Sequence, residues 1–249
     1  MCFARLMGEL FSRKDAPSPI RITSKNHPVF PATFASMNHA NRLLITCIME
    51  FGTCSFPEFE QLSDEDKYSI AVKFFYTFRM FDNSYRASKK FPDEKNRIFG
   101  SYTLWLSGDV VEHFFDDCEA ETGVEEAKKI LSLNCNEKPS IGRAIIERVN
   151  PDEEEFLAVT TLMFWATNGL GSSDDLLRLS EKYRNQVFSE LHLYYRDVLH
   201  LDDYAARLGE LYMCVPMFER SEEVKQTFEV FRLLDIYNDN SFTYMLNKF

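Results

Sequence analysis

The chain has 249 residues, 45% of them hydrophobic and 14% aromatic, with a formal net charge of −11. That acidity argues against direct nucleic-acid contact or attachment to an anionic membrane surface, because both depend on Lys and Arg meeting phosphates. Nine Gly and nine Pro are few breakers for this length, which favours long helices over many short strands.

Residues 1–32 carry Pro17, Pro19, Pro28 and Pro31 and read as an extended lead-in with a first helical segment. The opening apolar run is broken by Arg5 and Glu9, so it is not a signal peptide. From Thr33, Phe34, Met37, Leu44, Cys47, Ile48 and Phe51 recur at helical spacing. Gly52 is read as closing this helix, and Pro57 blocks its continuation.

Ser63 then offers an N-cap, with Asp64, Glu65 and Asp66 filling a first turn where the dipole is positive. Asp66 sits at the acidic position of a capping box. The helix so begun reaches about Ser88. Ile70, Phe74, Phe78, Phe81 and Tyr85 form an apolar stripe, and Phe75, Arg79, Asn83 and Arg86 form a mixed one beside it. A helix apolar over so much of its girth is buried on more than one side.

Between Asn96 and Gly108, Gly100-Ser101 separates two β-prone runs and predicts a small hairpin. Helices are expected over Asp109–Cys118, Val124–Leu133 and Ile141–Val149. In "NPDEEEFLAV", Asn150 is read as the cap and Pro151 as the first helical residue. Glu153, Glu154 and Glu155 read as a solvated turn that complements the dipole. Further helices are expected from Asp174 to Asp197 and from Asp202 to Asp235, the latter containing Pro216. No repeat or composition shift divides the chain.

No CxxC, HExxH, P-loop or GxSxG pattern is present, and the five His are scattered. Nothing proposes an active site, a metal or a cofactor. The six Cys read as reduced, buried thiols.

Pro57-x-Phe59-x-x-Leu62-x-x-x-Asp66-Lys67-x-x-Ile70 resembles the signature of nuclear hormone receptor ligand-binding domains. Lys67, where family members commonly carry Gln, is similar to the nematode-type, hepatocyte-nuclear-factor-derived branch. Two later blocks agree. Arg184, Val187, Phe188, Leu191 and Tyr194 match the ninth helix, and Arg207, Leu208, Gly209, Leu211 and Pro216 the tenth. The resemblance covers residues 33–249; the cysteines cannot make the two zinc modules of a DNA-binding domain, so none is expected here.

What the resemblance implies is an all-α, three-layer antiparallel helical sandwich of about ten helices with a small β-hairpin, the Ser63–Ser88 helix in its centre. It implies a nuclear protein, with cytoplasmic residence also open and secretion not. This protein would regulate transcription through coregulators and homo- or heterodimerise through the 202–235 helix. It also implies a lipophilic pocket, occupied by a small fatty-acid-like ligand. Arg86 lies, counted from Asp66, where acid-binding receptors hold an arginine for the ligand carboxylate, a group its planar fork matches. Arg79 is two turns earlier and Phe75 shares the stripe; Asn38, Asn41, Ile45 and Phe228 match pocket positions by counting. A second reading has Asp82 joining Arg79 and Arg86 in a solvated ladder. The corresponding functional alternative is a ligand-independent interaction module, a dimer partner or dominant-negative regulator whose pocket is filled by side chains.

Family members seat a coactivator helix between a basic residue ending the third helix and a Glu in the last. The matching positions here are Cys54 and Asn247. A second basic position falls on Val72, with Lys73 one step away. The last helix keeps the apolar Tyr244 and Met245 but lacks the acid. The expectation is a weak or lost charge clamp; a one-residue slip would put Lys73 in the groove instead.

Overall fold

Thr33 starts the first helix by a reciprocal capping box with Ser36: each side chain accepts from the other's backbone N–H, at 3.3 and 2.9 Å. A computed structural model describes residues 28–120, 122–136, 141–166, 172–219 and 223–237. Helix α1 spans Phe34–Ser55. It does not stop at Gly52. Gly52 is buried within it because Phe59, in a 3-10 turn at Phe59–Gln61, packs so close that a Cβ would stand 2.6 Å from the ring. The glycine answers to close approach, not to termination.

Helix α2 spans Asp64–Lys90, and the Ser63 hydroxyl accepts from the Asp66 N–H at 3.1 Å. The Asp66 carboxylate accepts from the Ser63 hydroxyl at 2.9 Å and from the Ser173 hydroxyl at 2.7 Å. Ser173 caps a later helix, so one carboxylate ties two helix starts. Both stripes of α2 are covered: Ile70, Phe74, Phe78, Phe81 and Tyr85 are buried, as are Phe75, Arg79 and Arg86.

Strands β2 (Ile98–Phe99) and β3 (Leu104–Leu106) form the expected antiparallel hairpin. A third strand, β1 (Phe30–Pro31), pairs parallel with β3, giving the order β1-β3-β2. Two residues ending in Pro carry no alternation from which this pairing could be read.

Helices α3 (Gly108–Phe114), α4 (Val124–Asn136) and α5 (Ile141–Val149) follow. Asn150 ends α5 instead of starting the next helix: its φ is +43°, a left-handed value that Asn tolerates, and its N–H returns to the Ile146 carbonyl at 2.7 Å. Asp152 caps α6 (Glu153–Phe164) in a capping box with Glu155. The Glu triplet therefore divides. Glu153 and Glu154 are exposed, but Glu155 is buried.

Helix α7 (Asp174–Leu193) runs into a π turn at Tyr194–Val198. The stretch expected as one helix from Asp202 to Asp235 holds α8 (Ala205–Glu219, with Pro216 inside) and α9 (Glu223–Leu233), and residues 220–222 lie outside the described ones. Among the described residues there are nine α-helices, none long and apolar enough to cross a membrane.

Helix α2 is the middle layer. On one side the Phe51 ring of α1 stacks on Phe74 at 6.3 Å. On the other, Phe156 of α6 stacks on Phe81 at 4.9 Å and Phe218 of α8 meets it edge-on at 5.3 Å. Such ring pairs contribute about 0.5–1.5 kcal/mol each beyond area burial. Cys47, Cys135 and Cys214 are buried thiols as expected, while Cys54 is exposed.

Candidate functional site

The α2 stripe that faces away from α6 and α8 borders a cavity of about 500 Å³. Its walls come from α1, α2, the β-hairpin, α4, α5 and α9. A volume of this order suits a small ligand.

Four of the residues singled out in the sequence line it: Asn38, Asn41, Arg79 and Phe228. Three do not. Ile45 is half-buried against the core, Phe75 is fully buried, and Arg86 is committed elsewhere.

Arg86 donates to Asp82 at 2.9 and 2.6 Å, to Asn83 at 3.0 Å and to the Tyr102 carbonyl at 2.5 Å. Its guanidinium also lies 4.4 Å from the Phe99 ring centre and 5.0 Å from that of Tyr102. Counting from Asp66 selects this arginine. The hairpin, a long-range neighbour that counting cannot see, captures it. The predicted ladder forms only between Asp82 and Arg86, and it is buried, not solvated.

Arg79 is the cation at the cavity. It is 7% exposed, and Nη1 donates to the Asn41 side-chain oxygen at 2.8 Å. Its guanidinium sits 5.1 Å from the Phe228 ring centre and 5.9 Å from that of Phe75. Among the described residues no carboxylate pairs with it. Burial lowers its pKa to about 10, so it remains cationic at neutral pH.

Two of the lining residues that were not anticipated bear on the chemistry of the cavity. Arg143 is almost fully buried, but its guanidinium is spent on the carbonyls of Phe91, Glu94 and Arg97 and on Glu147 at 2.9 Å, tying the α2–β2 connection to α5. Tyr237, just after α9, stacks on Phe34 at 5.5 Å, with Phe231 at 6.2 Å and Phe228 at 6.3 Å. Burial pushes its hydroxyl far above the usual tyrosine range, and the nearby Arg79 charge opposes that. No sequence signal marked Tyr237, because it follows the last periodic residue of α9.

The groove reading needs one correction. Lys73 turns toward the opposite layer, where it pairs with Glu219 of α8 at 2.9 Å and donates to the Ala166 carbonyl at 3.0 Å. Its place one step along α2 from Val72 rotates it away from α1. Val72 is half-buried against the core and Cys54 is exposed. Tyr244, Met245 and Asn247 lie outside the described residues.

Helical layers closed around a lined cavity, with a small hairpin at one end, define a helical sandwich with an enclosed space. The family model for the ligand-binding domain of nuclear hormone receptor matches residues 23–234. The chain belongs to this family, whose general role is transcription regulation. Among relatives, the nuclear hormone receptor family member nhr-12 of Caenorhabditis elegans is 22% identical over 82% of this chain, and nhr-28 of the same organism 26% identical over 74%. The chain spans 46% and 42% of those two proteins. The ultraspiracle ligand binding domain from Drosophila melanogaster superposes with a TM-score of 0.60 at 13% identity, covering 100% of this chain and 96% of that one, and so shows a shared fold.

Proposed function

We propose that this chain is the ligand-binding and dimerisation domain of a nuclear receptor that regulates transcription, and that its cavity holds a small lipophilic acid on Arg79. The observation that carries this reading is a buried arginine facing a cavity of about 500 Å³ with no carboxylate beside it among the described residues. A buried guanidinium without an anion is costly, and a bound carboxylate would relieve that cost with paired hydrogen bonds. An open cavity of this size speaks against the alternative of an interaction module with a side-chain-filled pocket. The reading is non-enzymatic, and family membership supports action in the nucleus.

Partner contacts follow from the same frame. Tyr212 and Met213 are large apolar side chains exposed on α8, which supports dimerisation along that helix. Lys73 engaged with Glu219, and Cys54 where a basic residue would clamp a coactivator, support weak charge-clamp recruitment. Native mass spectrometry after expression, and again after incubation with tetradecanoic acid, tests the ligand reading. A stoichiometric acid adduct, lost in Arg79→Met, is expected; no adduct with any monocarboxylic acid from medium to long chain would overturn it. For the groove, fluorescence anisotropy with leucine-rich coactivator peptides should show binding weaker than micromolar, and tight binding abolished by Asn247→Ala would sink that part.

A further inference from the structure

Elsewhere several buried or half-buried arginines and tyrosines meet carboxylates. Arg86 holds Asp82, Arg143 holds Glu147 and Arg207 holds Glu155. Tyr183, Tyr194 and Tyr195 donate to Glu58, Asp152 and Glu155 in turn. At Glu155 the two habits converge on one atom: Oε1 accepts from Tyr195 at 2.8 Å and from Arg207 Nε at 2.7 Å.

The cavity repeats this set with one member missing. Arg79 and Tyr237 both line it, and both have the Phe228 ring as a neighbour, at 5.1 and 6.3 Å. Neither has a carboxylate among the described residues, and the Tyr237 hydroxyl has no hydrogen-bond partner there. A phenol donor at the wall of a cavity is open to a partner that enters it, and the two oxygens of an acid headgroup would serve both donors.

We infer that Tyr237 is the second anchor of the ligand, donating to the same acid group that Arg79 holds, so that one headgroup joins α2 to the turn after α9. The assignment rests on the acid-ligand reading above. It adds a specificity: the site favours a headgroup whose oxygens can accept from a guanidinium and a phenol together, a carboxylate over an alcohol.

Calorimetric titration with tetradecanoic acid and tetradecanol tests it. Tyr237→Phe keeps the ring and its stacking on Phe34. It should weaken acid binding about tenfold, the factor one hydrogen bond to a charged group supports, and weaken tetradecanol binding by a smaller factor, since a neutral hydroxyl oxygen makes the weaker bond. Unaltered acid affinity in Tyr237→Phe, with affinity lost in Arg79→Met, would remove Tyr237 and keep Arg79. No acid binding by the wild type, or binding insensitive to Arg79→Met, would remove the acid-ligand reading and this inference with it. Meta-fluorotyrosine at position 237 gives a readout that does not depend on the Phe variant folding. Its fluorine resonance should shift further on adding the acid than on adding the alcohol; no shift at saturating acid contradicts the assignment.

Discussion

The junction of α6, α7 and α8 and the cavity beside α2 contain the same chemistry in two states of completion. At the junction, the Glu155 carboxylate receives Arg207, Tyr195 and the Asp152 N–H, the last at 3.0 Å, while Arg207 also reaches the Val149 carbonyl at 2.5 Å. In the cavity, Arg79 and Tyr237 face a space. The chain supplies its own anion where three helices must stay together. Beside the cavity, where the proposed ligand would sit, no carboxylate among the described residues plays that part. A satisfied buried ion set contributes fixed geometry; an unsatisfied one stores an affinity for whatever completes it.

The largest effect should come from breaking the complete set. Arg207→Met leaves Glu155 buried without its cation and should destabilise the domain by about 3–5 kcal/mol, measured by urea denaturation. Arg79→Met should do the reverse in the empty protein. It removes a buried charge that no carboxylate among the described residues balances, so the unliganded melting temperature should hold or rise, while affinity for tetradecanoic acid falls about a hundredfold. If both variants lose stability alike, the contrast between the two regions is void.

Titration sharpens the same contrast. Burial alone would raise the Glu155 pKa, but Arg207, the Asp152 N–H and Tyr195 together hold it below the ordinary carboxylate value. Its folded pKa is therefore depressed, so its contribution is present above the unfolded value of about 4.5 and is lost as pH falls through the folded one. The stability gap between wild type and Glu155→Gln should shrink on acidification. Arg79 behaves oppositely: its folded pKa of about 10 lies below the unfolded value, so its cost persists at neutral pH and eases only above about 10. Acid affinity should decline over that same alkaline range. The smallest effect belongs to Lys73, whose pair with Glu219 is partly exposed. Lys73→Met should cost at most about 1 kcal/mol and leave coactivator-peptide binding unchanged.

What could be read in advance was local. Ser63 with three acids after it announces α2, and the Phe stripe announces a helix covered on two sides. The order of signature blocks announces the sandwich. What could not be read was which charged side chain meets which distant partner. Arg79 and Arg86 are seven apart on one stripe, and the hairpin captures Arg86, whereas Arg79 meets Asn41 and no carboxylate among the described residues. Glu155 looks like its two exposed neighbours until α7 and α8 close over it. Gly52 reads as a stop until Phe59 is placed against it. Each of these is settled by tertiary contact, which helical periodicity does not encode.

The carboxylate of Asp66 has a consequence for time as well as for structure. Its bond to Ser63 is local, but its bond to Ser173 spans 107 residues. The first can form as soon as the helix turn does, within the microsecond range of local events. The second closes a loop of 107 residues, a costlier step. One side chain thus makes one contact of short and one of long sequence separation, and the long one should form the later of the two. An isotope-edited infrared probe on that carboxylate would see two separate changes as the domain assembles.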